Sequence, residues 1–261
     1  MLVQDFGRFD GPVLLFGGPY SNVHALRALA ETAQDGPAIC TGDVVAYCAN
    51  QSETIDLIRV LGWPVVAGNC ERHIAEGADS CGCVFGVDSS CDLLSQGWYP
   101  AASRAATAED RHWMADLPDI GIFVTDALRY AVIHGGATSI NRFIWPTKNA
   151  SIFQCEIDAI ETHTGRVDGV IAGHSGVAFQ RRIGRHHWIN PGAIGLPPHD
   201  GRPQTRYGVL SHGQVIFHRL DFDALGAKQI MERAGLTQGY HQSLETGLWP
   251  SEDSLPQEMR R

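Results

Sequence analysis

Basic residues are in short supply in this chain: 20 Lys and Arg stand against 29 Asp and Glu, a formal net charge of −9. A broad grip on nucleic acid needs clustered cations to neutralise phosphates, so no nucleic-acid partner is expected. No apolar run approaches the length of a membrane span, and Met1 to Asp10 has neither a basic start nor an apolar core. No membrane partner is expected, and the location expected is cytoplasmic. The chain also lacks a Ser/Gly-rich linker, a compositional break and an internal repeat, which favours one large domain over two small ones. The expected organisation is a main domain over residues 1–220, with a C-terminal helix and tail over 221–261 packed on it.

Apolar residues make up 44% of the chain, far above what disordered chains carry. The seven cysteines are an odd number, and in a reducing compartment they are expected as thiols or metal ligands rather than disulfides. Cys40, Cys48 and Cys155 lie in or beside apolar segments and read as small buried thiols.

Short apolar runs alternate with helical spacing in the first third. Val13 to Phe16 reads as a buried strand breaking at Gly17-Gly18-Pro19, and Val23, Leu26 and Leu29 recur at helical spacing behind a capping Asn22. Ala38 to Cys40 is a strand, Ser52 to Leu61 a helix, and Pro64 to Ala67 the next strand. This alternation points to βαβ units, whose ligand sites lie beyond the carboxyl ends of the strands. Helical tracts are expected near Cys91 to Tyr99 and Ala108 to Leu117. From Ile120 onward strands follow at close intervals, as a second packed sheet would require, and the tail from Asp221 carries one amphipathic helix.

Four blocks each set a metal-competent side chain beside glycine after an apolar run: Gly42-Asp43, Gly68-Asn69, His134-Gly135-Gly136 and Gly173-His174. Asp43, Asn69, His134 and His174 offer one carboxylate oxygen, one amide oxygen and two imidazoles, a mixed set suited to manganese, iron or zinc. Cys81-Gly82-Cys83, with Cys91 beyond and Cys70 before, is a second candidate metal cluster, although the spacing is not that of a zinc finger and a glycine between thiols suits a plain loop as well.

In this order, Gly42-Asp43-Val44-Val45-Ala46-Tyr47, Gly68-Asn69-Cys70-Glu71, His134-Gly135-Gly136, Gly173-His174-Ser175-Gly176 and Asn190-Pro191-Gly192-Ala193 resemble the calcineurin-like metallophosphoesterase superfamily, most closely its small bacterial diadenosine-tetraphosphatase-like and phosphodiesterase members. The resemblance implies an α/β fold of two packed mixed β-sheets flanked by helices, a four-layer αββα sandwich, with a dinuclear metal site at the loop end. It also implies departures. The family's Asp-x-His-Gly-Asn reads Gly18-Pro19-Tyr20-Ser21-Asn22 here, the histidine after Asn69 is Cys70, and the second histidine of Gly-His-x-His is Gly176. Every loss falls on the first metal, while the positions matching the second, with Asp43 as its bridging carboxylate, are intact. One or two divalent ions per chain are therefore expected.

Tyr20 and Cys70 stand where the family has histidines, and are the candidate catalytic replacements, against simple space filling. Asn22 and Arg142 are candidate substrate-binding residues, Arg142 because a guanidinium meets phosphate with a bidentate fork; a salt bridge is its plain alternative. Of His186 and His187, entering a strand, one is expected to point outward. The function expected is hydrolysis of a small phosphodiester or nucleotide by an altered or mononuclear metal site. The alternatives are a non-hydrolytic descendant that binds a phosphorylated ligand, and an iron-dependent redox enzyme on the same scaffold. Homo-oligomer formation is left open.

Overall fold

The computed structural model describes residues 1–83 and 89–261. In chain order its elements are β1 (Val3–Arg8), β2 (Val13–Phe16), α1 (Val23–Ala33), β3 (Ala38–Cys40), α2 (Gln51–Leu61), α3 (Asn69–Glu76), α4 (Ser90–Ala105), α5 (Ala108–Asp116), β4 (Ile120–Thr125), β5 (Leu128–Ile133), α6 (Ala150–Thr164), β6 (Gly169–Ala172), β7 (Phe179–Ile183), β8 (His186–Asn190), β9 (Thr205–Ser211), β10 (Gln214–Leu220), α7 (Ala224–Arg233) and α8 (Tyr240–Thr246), with short 3-10 turns at Glu252–Ser254 and Gln257–Met259. Two mixed sheets form the middle layers. One has six strands in the order β1-β4-β5-β6-β8-β7, the other four in the order β10-β9-β2-β3.

The period of two along each strand explains how the layers stack. In β2, Val13 and Leu15 point between the sheets, where they meet Ile39, Phe123, Val132, Ile171 and Ile189. Leu14 and Phe16 point the other way, into a core shared with Leu26 and Leu29 of α1 and Ile55 and Ile58 of α2. The six-stranded sheet has its own outer layer, in which Phe153, Ile157 and Ile160 of α6 cover Ile122, Ala131, Val170 and Trp188. The result is helix, sheet, sheet, helix, with β2, β3 and β6 buried on both faces. That is why these strands read as continuous apolar runs.

Parallel pairing of β2 with β3 and of β5 with β6 sets their carboxyl ends on one edge of the sandwich. The C-terminal elements join the same core: Ala227 and Met231 of α7 and Tyr240 and Leu244 of α8 belong to the cluster that holds Leu26 and Leu29. Among the described residues no helix is long and apolar enough to cross a membrane.

Several local expectations need correction. Pro64 to Ala67 is not a full strand: it makes one bridge, Cys40 to Val65, because the Ala67 N–H turns away to the Pro118 carbonyl. His186 and His187 are both buried, since β8 lies inside its sheet with Glu161 beside one ring and Gln180 beside the other. Cys155 is exposed, on the outer face of α6.

Burial first, and the Arg182 guanidinium second, push the His187 imidazole down to about 4. Unfolded histidine takes its proton near pH 6.5, so between about 6.5 and 4 the unfolded chain binds a proton that the folded chain refuses, and stability falls as pH is lowered through that window. His187→Gln should flatten the fall, with a difference from the parent on the order of 2 kcal/mol at pH 4 and none at pH 8. Thermal melts across that range measure it; parallel curves for the two proteins would contradict it.

Candidate metal centre

Three chain segments leave the strand ends and meet. Asp43 follows β3, His134 follows β5 and His174 follows β6. One ligand atom from each lies within 4.8 Å of the others, and all three residues are buried. His134 Nε2 is 2.9 Å from His174 Nδ1, 3.3 Å from Asp43 Oδ2 and 3.0 Å from Asn69 Oδ1, so four side chains converge on one point. Asp43 and His174 hold φ values of +54° and +61°, a left-handed backbone that is unfavourable for residues with a Cβ and persists only when the surroundings enforce it.

The outer contacts decide which atoms face inward. His134 Nδ1 is 2.7 Å from the Thr41 carbonyl, an acceptor, so it carries the proton and leaves the Nε2 lone pair for the centre. Asn69 Nδ2 donates to the Cys81 carbonyl at 2.7 Å, which turns Oδ1 toward His134. A carboxylate oxygen, an amide oxygen and imidazole nitrogens thus face each other. The donor set fits a divalent cation, because acceptor atoms this close repel unless a proton or a cation lies between them.

Electrostatics agree. Burial alone would raise the Asp43 carboxyl, yet His134 and His174 hold it well below the usual carboxylate range. Burial lowers His134, but the Asp43 carboxylate outweighs it and the imidazole ends above its ordinary value. His174 ends below, from burial and the charge of His134. Phe143 packs on His174 with ring centroids 4.0 Å apart.

The scaffold matches a known family. The model of the calcineurin-like phosphoesterase superfamily domain matches residues 20–213. The chain belongs to that superfamily. Its fold is that of a metallophosphoesterase from Sphaerobacter thermophilus, at 22% identity and a TM-score of 0.73, covering 92% of this chain and 100% of the other. A hypothetical protein from Pyrococcus horikoshii OT3 superposes with a TM-score of 0.75 at 14% identity, covering 90% and 98%. A putative diadenosine tetraphosphatase is more distant, with a TM-score of 0.53 at 12% identity, covering 84% and 98%. No curated protein matches the chain.

Against that family the other half of the centre is filled in. A Cβ on Gly18 would lie 2.6 Å from Cε1 and Cε2 of the Tyr20 ring, so the tyrosine lies over the position of the missing aspartate. A Cβ on Gly176, where the second histidine is missing, would lie 3.7 Å from Tyr20 Oη and 3.5 Å from Trp249 Cη2. The phenol is buried and, through burial first and the Asp43 carboxylate second, is pushed well above its ordinary value, so it keeps its proton. Burial likewise pushes up the Cys70 thiol, whose backbone N–H donates to Asp43 Oδ1 at 3.3 Å. Tyr20, Cys70, Asp43 and His174 line one cavity of about 50 Å³, room for roughly three or four waters.

The two candidate substrate ligands are occupied elsewhere. Arg142 donates to Glu156 Oε1 at 2.6 Å, the plain salt-bridge alternative, with Glu156 fully buried. Asn22 is a structural residue: Oδ1 caps α1 at Ala25, and Nδ2 donates to the Gly195 carbonyl.

Sequence reasoning passed over Glu71. Its buried carboxylate accepts the N–H groups of Asp43 at 2.8 Å, Val45 at 3.0 Å and Gly68 at 2.8 Å, tying the Asp43 loop to the first turn of α3. Burial and the Asp43 carboxylate push it up to about 7. A glutamate three residues after Gly68 at a helix start was the available signal. Glu71→Ala strands three buried N–H groups, so it should destabilise the fold by about 3 kcal/mol, a melting decrease of roughly 6–12 °C. It should also weaken divalent-metal affinity by roughly 10- to 100-fold. Calorimetry and metal titration test this, and unchanged metal affinity would remove Glu71 from the centre.

Proposed function

We propose that this chain is a metal-dependent phosphoesterase that hydrolyses a small phosphodiester or nucleotide, with Asp43, Asn69, His134 and His174 holding one divalent ion of manganese, iron or zinc. The observation that carries this reading is the convergence of four acceptor atoms, their orientation fixed from behind by Thr41 and Cys81. When bound, such an ion supplies Lewis-acid polarisation of a phosphoryl oxygen and activation of water.

The chain's own residues do the rest. One carboxylate against a doubly charged ion leaves the centre net positive, which attracts an anionic ester. The protonated Tyr20 hydroxyl, at the cavity wall, can donate to a leaving oxygen. Phe143, Trp145 and Trp249 line the same cavity and limit water beside His174, strengthening every charge interaction inside. The narrow space suits the phosphoryl end of a substrate, with the remainder outside.

A second reading, binding of a phosphorylated ligand without turnover, is favoured by the way Tyr20 covers Gly18. Paired-metal hydrolysis clamps both the attacking and leaving oxygens, and that volume is taken here. Elemental analysis and a screen of metals against phosphodiester and nucleotide esters separate the two. The expected result is about one ion per chain at the Asp43 centre and slow hydrolysis stimulated by manganese, reduced at least 100-fold in Asp43→Ala and His174→Ala. Bound ion with no turnover of any ester would overturn hydrolysis in favour of the binding role.

A further inference from the structure

Four of the seven cysteines come together on the far side of Asn69. Its Nδ2 lies 3.7 Å from Cys70 Sγ and 3.6 Å from Cys83 Sγ, while its Oδ1 faces His134. The thiols of Cys81 and Cys91 are the near neighbours of Cys83. All four are free thiols, and Cys70, Cys81 and Cys91 are buried. Cys70, Cys83 and Cys91 line the same cavity as Asp43 and His174. They come from separate places in the fold: Cys70 from the first turn of α3, Cys81 and Cys83 from the following loop, and Cys91 from the first turn of α4.

We propose that Cys70, Cys81, Cys83 and Cys91 form a second, sulfur-ligated metal site that takes a thiophilic divalent cation such as zinc. A scattered buried cysteine is a small hydrophobe, and one or two need no further account. Four sulfurs drawn from three separate segments to one side of a polar amide, with no disulfide among them, are a ligand set. Zinc displaces the thiol protons on binding, one released to solvent for each thiolate formed. As the side chains stand, only Asp43, His134 and His174 among the described residues have ligand atoms all within 4.8 Å of one another, and no three of the four sulfurs do. The thiols are strung through Cys83, and coordination draws Cys81 and Cys91 inward around it. Asn69 is the partition, one amide with its oxygen toward the imidazole centre and its nitrogen toward the sulfurs. The second site does not depend on whether the Asp43 centre turns over an ester.

The test uses the full chain, reduced and handled without oxygen, and loaded with zinc or with cobalt(II). Expected are two ions per chain, protection of four of the seven thiols from a thiol reagent by zinc, and a strong thiolate-to-cobalt charge-transfer band in the near ultraviolet. Cys83→Ser should lose the band and one ion while keeping the other. His134→Asn should do the reverse, keeping the band. Cys91→Ser is the second variant should Cys83→Ser fail to fold, and the thiol-protection and cobalt measurements on the unaltered chain need no variant. Absence of the charge-transfer band, zinc that protects no thiols, or a band that survives Cys83→Ser or Cys91→Ser would overturn the proposal. So would a mass lower by two hydrogen atoms per cysteine pair in the metal-free denatured chain, restored by a reductant, which would make the cluster a disulfide. A hydrolysis screen that fails leaves these readouts untouched, so the two proposals fall separately.

Discussion

The buried carboxylate of Glu71 holds the centre in shape. Its three accepted N–H bonds join Asp43, Val45 and Gly68, residues on either side of α2, into one rigid corner. Charge-assisted bonds of this kind are stronger than neutral ones, and in a buried corner they have no competition from water. Because Gly68 is gripped there, α3 begins at a fixed point, and Asn69, its first residue, can serve two neighbours with one amide. A Cβ on Gly68 would run into the Asp43 and Glu71 carboxylates, so the corner admits only glycine at that position.

On that corner the family's plan is half kept. The segments after β3, β5 and β6 deliver Asp43, His134 and His174, whereas the loop after β2 delivers Tyr20, which folds back over Gly18. Tyr20 then packs edge-on against Tyr47, with centroids 4.8 Å apart, and Tyr47 against Trp98 and Tyr240. These rings are the edge of an aromatic cluster, continuous with the hydrophobic core outside the four-stranded sheet.

How much was legible in the residues follows from how local each cause is. The strands with both faces buried, such as β2, β5 and β6, announced themselves as short apolar runs, and the four ligand blocks followed because each sits where such a run meets glycine. β1 was not legible, since Val3–Arg8 is largely exposed and mixed in character, and its place as an edge strand comes from pairing with β4, more than a hundred residues away. From Ile120 to the tail only strands were expected, and α6 was missed although Phe153, Ile157 and Ile160 recur at helical spacing. Within the site, the parts of Thr41 and Phe143 were out of reach because they act through a contact 93 positions distant and through a ring lying on another ring, whereas Glu71 carried a local signal in its spacing from Gly68 but reaches Asp43 and Val45 only through the fold. Arg142 shows the converse: the residue type suggested phosphate or a salt bridge, and the structure sets its guanidinium on Glu156, fourteen residues on.

One feature of the layering reaches beyond chemistry. Asp43 hangs from the four-stranded sheet, whereas His134 and His174 hang from the six-stranded one, and what separates the two sheets is a seam of apolar side chains, Phe123 and Tyr130 among them. Any cation gripped by all three residues is therefore a rivet through the edge of a laminate: it locks the shear of one sheet over the other, so that the spacing of the ligands and the alignment of the whole sandwich become a single mechanical quantity.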